Sequence, residues 1–179
     1  MRPEKLHEIT RSGTRRALWE PSASAREVHI AGDDIARIIP HRAPFLFVDK
    51  ITGIDLEYAR LRGERFIDPA DPVFLGHFPG HPVYPGVLLL ETIGQFGLCT
   101  LYFTSNRTLA VSRDAQPTDL RLIRISEASF RSEIGPGDKL VVTAAVYDQN
   151  DYTATCIGQV MKGDAICVFG VMEVYFVHN

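Results

Sequence analysis

The sequence predicts an α+β domain in which one long helix is enclosed by a curved antiparallel sheet of about six strands. Two observations carry this reading. The stretch Val87–Cys99 is apolar on almost every face, and a helix of that kind must be buried. The last third of the chain then alternates strand-forming runs with tight-turn sequences such as Gly135–Asp138 and Lys162–Asp164.

Residues 1–30 read as an N-terminal extension with one short helix; they carry Arg11, Arg15, Arg16, the single Trp19 and the small-residue stretch Pro21–Ala25. Residues 31–179 read as one domain. Gly32–Ile39 reads as a short helix, with Asp33 and Asp34 suited to its N-cap and dipole and Pro40 stopping it. Phe45–Ile51 and Tyr58–Ile67 read as a first antiparallel pair of strands. The Pro- and Gly-rich loop Asp68–Pro85 leads into the long helix, which runs to about Phe103. Thr104–Thr118 is polar and reads as a loop. Four strands follow, over Leu120–Ile134, Leu140–Tyr147, Tyr152–Met161 and Ala165–Val177.

The chain has 179 residues, of which 45% are hydrophobic, enough for a substantial core. Its formal net charge of -3 argues against a nucleic-acid-binding or polybasic membrane-binding role. No apolar run is read as a bilayer span, and no apolar signal core follows Met1–Lys5. The chain is therefore read as soluble and cytoplasmic, without a cofactor. Cys99, Cys156 and Cys167 follow no metal or redox spacing and read as buried thiols.

Glu91 breaks the apolar pattern of the long helix. A buried carboxylate is costly unless it is paired, hydrogen-bonded or protonated. Fourteen positions upstream, His77 sits in the constrained loop Gly76–Pro82. Together they suggest an acid–base pair in a dry pocket. The competing structural reading of Glu91 is a pair with a basic side chain, but no lysine or arginine lies within one helical turn. For His77 it is a hydrogen-bonded loop histidine. His77 and His81 lie four apart, but Pro79 and Gly80 between them prevent the helical geometry of a zinc pair, so no metal site is expected. His41, between Pro40 and Arg42, reads as structural. Gln95 shares the Glu91 face; hydrogen bonding in the pocket and packing at a dimer seam are both open to it.

Three groups of residues resemble a known family. Pro40–Asp49 resembles the opening motif of FabZ-type 3-hydroxyacyl-ACP dehydratases. Gly76–Pro82 and Pro85–Glu91 resemble that family's active-site signature. Glu127–Arg131 and Pro136–Asp138 resemble its later strand and turn. The resemblance implies a hotdog fold, a dimer with both active sites at the subunit interface, and often a hexamer built from three dimers. It implies an acyl chain delivered on the phosphopantetheine arm of acyl carrier protein, and dehydration to the trans-2-enoyl thioester in fatty acid, polyketide or polyene synthesis. His77 of one subunit would then face Glu91 of the other, His77 as the base at C2 and Glu91 as the acid at the C3 hydroxyl; in a second division of roles His77 makes both transfers. Gly86, at the helix start, is the candidate oxyanion donor, because first-turn N–H groups lack intrahelical partners.

Phe78, Tyr84, Val87, Leu88, Ile123 and Ile125 are candidate acyl-tunnel residues, with plain core packing as the competing reading. Arg121, Arg124 and Arg131 are candidates to steer the acidic carrier. Arg124, Ser126 and the pair Ser132–Glu133 depart from the family pattern, as do the extension and the 104–118 loop. These departures leave the reaction type alone and open the substrate. A hotdog thioesterase and a non-catalytic acyl-carrier-binding module are the alternatives. Isomerase activity is disfavoured, because its practitioners carry aspartate where Glu91 stands.

Overall fold

The computed structural model describes residues 3–20 and 22–177. Pro21, in the small-residue stretch noted above, lies outside them. The element order is helix α1 (Pro3–Gly13), strand β1 (Arg26–Ala31), helix α2 (Asp33–Ile38), strands β2 (Lys50–Asp55) and β3 (Arg60–Phe66), and a 3-10 turn at Pro72–Leu75. Helix α3 (Gly86–Asn106) follows, then strands β4 (Leu120–Phe130), β5 (Lys139–Gln149), β6 (Thr153–Lys162) and β7 (Ala165–Phe176). The strands form one antiparallel sheet in the order β1-β2-β3-β5-β6-β7-β4, curved around α3.

Helix α3 is long and apolar enough to cross a bilayer by length and composition, which corrects the sequence reading that no run is. Here it is the core helix, with eleven of its 21 residues buried. Ile93, Phe96 and Phe103 are fully enclosed by Leu61, Val142, Ala144, Val160 and Val168 from the strands. The sheet closes on the helix at Gly158 of β6, where an added Cβ would land on Ile93. Arg107, in the left-handed region at φ 49°, ends the helix.

Three sequence expectations shift. The strand expected at 45–51 begins only at Lys50 and runs to Asp55, because Phe45 and Phe47 give their backbone groups to a side chain of α3 instead of to a neighbouring strand. Gly32, at φ 56°, is the N-cap of α2, so Asp33 and Asp34 fall inside its first turn. A seventh strand, β1, joins the sheet edge from within the region read as an extension, pairing with β2.

The rest of that region lies on the outer face of the sheet. Leu6, Ile9 and Leu18 pack on Ile157, Phe169 and Val171. Gln159 of β6, fully buried, donates to the carbonyls of Gly13 (2.5 Å) and Arg16 (2.7 Å) and accepts from Leu18 N–H (2.7 Å). Asp55, also fully buried, accepts from Ser22 Oγ (2.6 Å), Ser24 Oγ (2.8 Å) and the Arg60 guanidinium (3.2 Å). Arg60 in turn lies over the Trp19 and Tyr58 rings.

Candidate active site

A cavity of about 780 Å³ opens between α3 and the β7–β4 edge of the sheet. One stripe of α3 forms its wall: Val87, Leu90, Glu91, Gly94, Gln95 and Leu98, spaced as a single helical face. Cys156, Met172 and Val174 line it from β6 and β7, Leu120, Leu122 and Ile125 from β4, and Pro40 and His41 from the turn after α2. The walls are largely apolar, as a site for an acyl chain requires.

Glu91 stands in this cavity. It is not wholly buried as expected: its side chain is 30% exposed within this chain. It is also not without a basic neighbour. Gln95 Nε2 donates to Glu91 Oε1 at 2.9 Å, and His41 Nε2 lies 3.3 Å from the same oxygen. His41 was read as merely structural, and its proximity was invisible because fifty residues separate the two positions. Burial holds the His41 pKa below its ordinary value, with Arg42 acting the same way and Glu91 opposing, so the ring is neutral near pH 7.

Gln95, for which pocket and dimer-seam readings are both open, makes its hydrogen bonds inside this chain. It is fully buried and carries three bonds at once: Phe47 N–H donates to its Oε1 (2.7 Å), and its Nε2 donates to Phe45 O (2.9 Å) and to Glu91. A backbone donor on one side and a backbone acceptor on the other fix the amide orientation. The Pro40–Asp49 motif is thereby tied to α3 beside Glu91.

His77 lies elsewhere in the chain and does not line this cavity. Asp71 caps the 3-10 turn before it, accepting Val73 N–H at 2.9 Å, and His77 N–H closes on Val73 O at 3.0 Å. Its Nδ1 stands 2.7 Å from the Val83 carbonyl. A carbonyl only accepts, so Nδ1 carries the hydrogen and Nε2 is left with a free lone pair, as a general base requires. Phe78 stacks on the His77 ring with centroids 4.0 Å apart, and it lines a separate shallow depression with Leu75, Gly80 and Pro82.

Gly86 is the first residue of α3, with Pro85 as its N-cap. Its N–H and that of Val87 are first-turn groups with no intrahelical acceptor. A Cβ at Gly86 would meet the Phe130 ring at 2.7 Å, so close packing by Phe130 accounts for a glycine there. Gly86 and Glu91 are five residues apart, about 7.5 Å along the helix axis.

Of the other tunnel candidates, Val87 and Ile125 line the cavity. Tyr84 does not: it is only 2% exposed and packs in the core beside Phe74, which corrects its reading as a substrate contact. Leu88 packs against the core, and Ile123 is exposed on β4. Arg121 lies at the cavity rim and pairs with Asp119. Cys156 also touches the cavity, but burial pushes its thiol pKa up to about 12, so it is an inert wall. Among the described residues no cluster of potential metal ligands occurs.

Comparison with known proteins agrees with this architecture. The pattern of the FabA-like domain matches residues 39–171. The chain is 36% identical over 121 residues to a 3-hydroxyacyl-[acyl-carrier-protein] dehydratase FabZ of Xanthomonas oryzae pv. oryzae, covering 68% of this chain and 75% of that protein. It is 39% identical over 106 residues to the FabZ of Aliarcobacter butzleri, covering 59% and 69%. Among solved structures, the dehydratase heterocomplex ApeI:P of Xenorhabdus doucetiae superposes with a TM-score of 0.62 over 81% of this chain and 91% of that one, at 14% identity. That likeness shows the shared hotdog fold. The matched segment contains the cavity helix, the loop of His77 and the motif that carries His41, and the chain belongs to the FabA-like family, among its FabZ-type members.

Proposed function

We propose that this protein removes water from a 3-hydroxyacyl thioester carried on acyl carrier protein, giving the trans-2-enoyl thioester. The observation that carries the reading is Glu91: a carboxylate with one oxygen held by Gln95, set in a largely apolar cavity of acyl-chain dimensions. Its relatives bear the name of that reaction. In the proposed mechanism the thioester oxygen sits at the start of α3 on the Gly86 N–H, where the helix dipole favours developing negative charge. His77 Nε2 takes the C2 proton. Glu91 gives a proton to the departing C3 hydroxyl, and the acyl tail lies towards Leu98, Leu120 and Val174.

This mechanism needs two copies of the chain, because His77 does not line the cavity of its own Glu91. Support for a dimer comes from the β4 edge, where Leu122, Ile123, Ile125 and Phe130 are exposed, and from the exposed Leu75, Phe78 and Val87 in the segments that carry His77 and Glu91. An unpaired apolar strand edge calls for a cover. A trimer of such dimers and a cytoplasmic location are part of the same reading.

Mass spectrometry of short- and medium-chain 3-hydroxyacyl-ACPs after incubation with the protein tests the proposal. Loss of one water supports it. Release of free acid would mark a thioesterase, and an unchanged acyl group would mark a non-catalytic module. For Gly86, alanine alone also displaces Phe130, so Gly86→Ala is compared in a Phe130→Ala background; full turnover there would remove Gly86 as the oxyanion donor.

A further inference from the structure

We infer that His41 is a positioning residue: with Gln95 it engages the Oε1 side of Glu91 and so leaves the proton-transferring role to Oε2. The inference rests on the dehydration reading above and specifies which atom performs its acid step. Both recorded contacts to the Glu91 carboxylate, from Gln95 Nε2 at 2.9 Å and from His41 Nε2 at 3.3 Å, fall on Oε1. Oε1 already accepts the Gln95 hydrogen bond and has the His41 ring against it, whereas no contact falls on Oε2, and the proton of the acid form therefore sits on Oε2.

The tautomer of His41 follows from its surroundings. Its Nδ1 is buried and has no hydrogen-bond partner. A hydrogen there would be an orphaned buried N–H, which folded proteins avoid more strictly than an under-satisfied acceptor. The hydrogen thus lies on Nε2, on the side of the ring next to Glu91. This is the mirror image of His77, whose hydrogen lies on Nδ1 against Val83 O. One histidine is set to donate and the other to accept.

The scaffold holds His41 in place. Ile39, immediately before Pro40, is fully buried. The Arg42 guanidinium bridges the carbonyls of Ile39 (2.9 Å) and His41 (2.7 Å), and Phe45 N–H returns to Arg42 O at 2.8 Å. Phe45 stacks on the imidazole and is itself bound through its carbonyl to Gln95. The turn that carries His41 is therefore stapled to Gln95 of α3 beside Glu91. A contact of 3.3 Å is long for a hydrogen bond, in keeping with catalytic contacts that tighten on substrate binding.

The test compares two variants that cannot donate, His41→Phe and His41→Leu, with one that can, His41→Gln, in wild-type and Glu91→Gln backgrounds. With a 3-hydroxyacyl-ACP substrate, the non-donating variants should lose about 10- to 100-fold in kcat with KM little changed, as for a misplaced reacting group. His41→Gln should recover most of that loss. In Glu91→Gln, removing His41 should cost nothing further, since the group it positions is gone. Histidine 15N NMR of the unaltered protein should place the His41 hydrogen on Nε2. Wild-type kcat in the non-donating variants while Glu91→Gln is inactive would overturn this inference and leave the dehydration reading standing. An equal loss in both backgrounds, or a hydrogen on Nδ1, would also overturn it. Full turnover by Glu91→Gln would instead remove the acid from the dehydration reading itself.

Discussion

Asp55 and Glu91 are two carboxylates that this chain treats in opposite ways. Asp55 is fully buried, and Ser22, Ser24, Tyr58 N–H and Arg60 engage both of its oxygens. Around it the N-terminal arm is stitched down, with Gln159 giving both amide hydrogens to Gly13 and Arg16 and accepting from Leu18. Glu91 is partly exposed, held through one oxygen, and set in a cavity whose apolar lining includes the exposed Val87, Leu122 and Ile125. The first region is complete within one chain and does a structural task. The second is engaged on one side only, which leaves the other oxygen open to a ligand. Satisfied buried polar groups stabilise; half-satisfied ones mark where chemistry or a partner is to come.

The largest expected effect separates the two carboxylates directly. Glu91→Gln should cut dehydration by about 10²- to 10⁴-fold, the usual worth of a positioned acid, with little change in melting temperature; His77→Ala should do the same. Turnover near wild type in either would break the contrast from the active side.

Asp55→Asn should behave in the opposite sense. It removes the charge opposite Arg60, whose side chain is nearly buried, and breaking such a pair costs about 3–5 kcal/mol. Chemical denaturation should show that loss while kcat of the folded fraction is kept. An unaltered stability would mean that the arm is not a structural part of the domain.

Ile123→Lys on the exposed face of β4 should weaken self-association, seen as a shift to monomer in sedimentation, and turnover should fall with it. A fully active monomer would require His77 and Glu91 to meet within one chain. On the complete side, Gln159→Leu strands two carbonyls and one N–H and should cost about 1–3 kcal/mol, again without a change in kcat.

The smallest effect is a pH dependence. Burial alone would raise the Asp55 pKa, but hydrogen bonds from Ser22, Ser24, Tyr58 N–H and Arg60 outweigh it and hold the carboxyl below its usual range. Its stabilising contribution is therefore complete above the unfolded carboxylate value, about pH 4. It is lost as pH falls through the lower folded value. Fluorescence of Trp19, the only tryptophan and a neighbour of Arg60 and Arg62, should report release of the arm in that acid window. Asp55→Asn should abolish this acid-linked step.

Much of this molecule is written locally. The apolar run of α3 and the hairpin turns between the last strands are short-range patterns, so the core helix and the six later strands were legible in order, and the signature around His77 and Glu91 picked out the candidate residues by the same local reading. The β1 strand was not, because Arg26–Ala31 alternates weakly and becomes a strand only by pairing with β2. Tyr84 looked like a tunnel residue because it flanks the signature; packing beside Phe74 buried it instead. What only the tertiary structure decided are the contacts between distant positions: His41 against Glu91, Gln95 against Phe45 and Phe47, the arm against Asp55 and Gln159. Periodicity and turn chemistry act over a few residues, and the sequence determines them by itself. The partners of a carboxylate depend on which segments the curved sheet brings together, and that is fixed only when the whole chain packs.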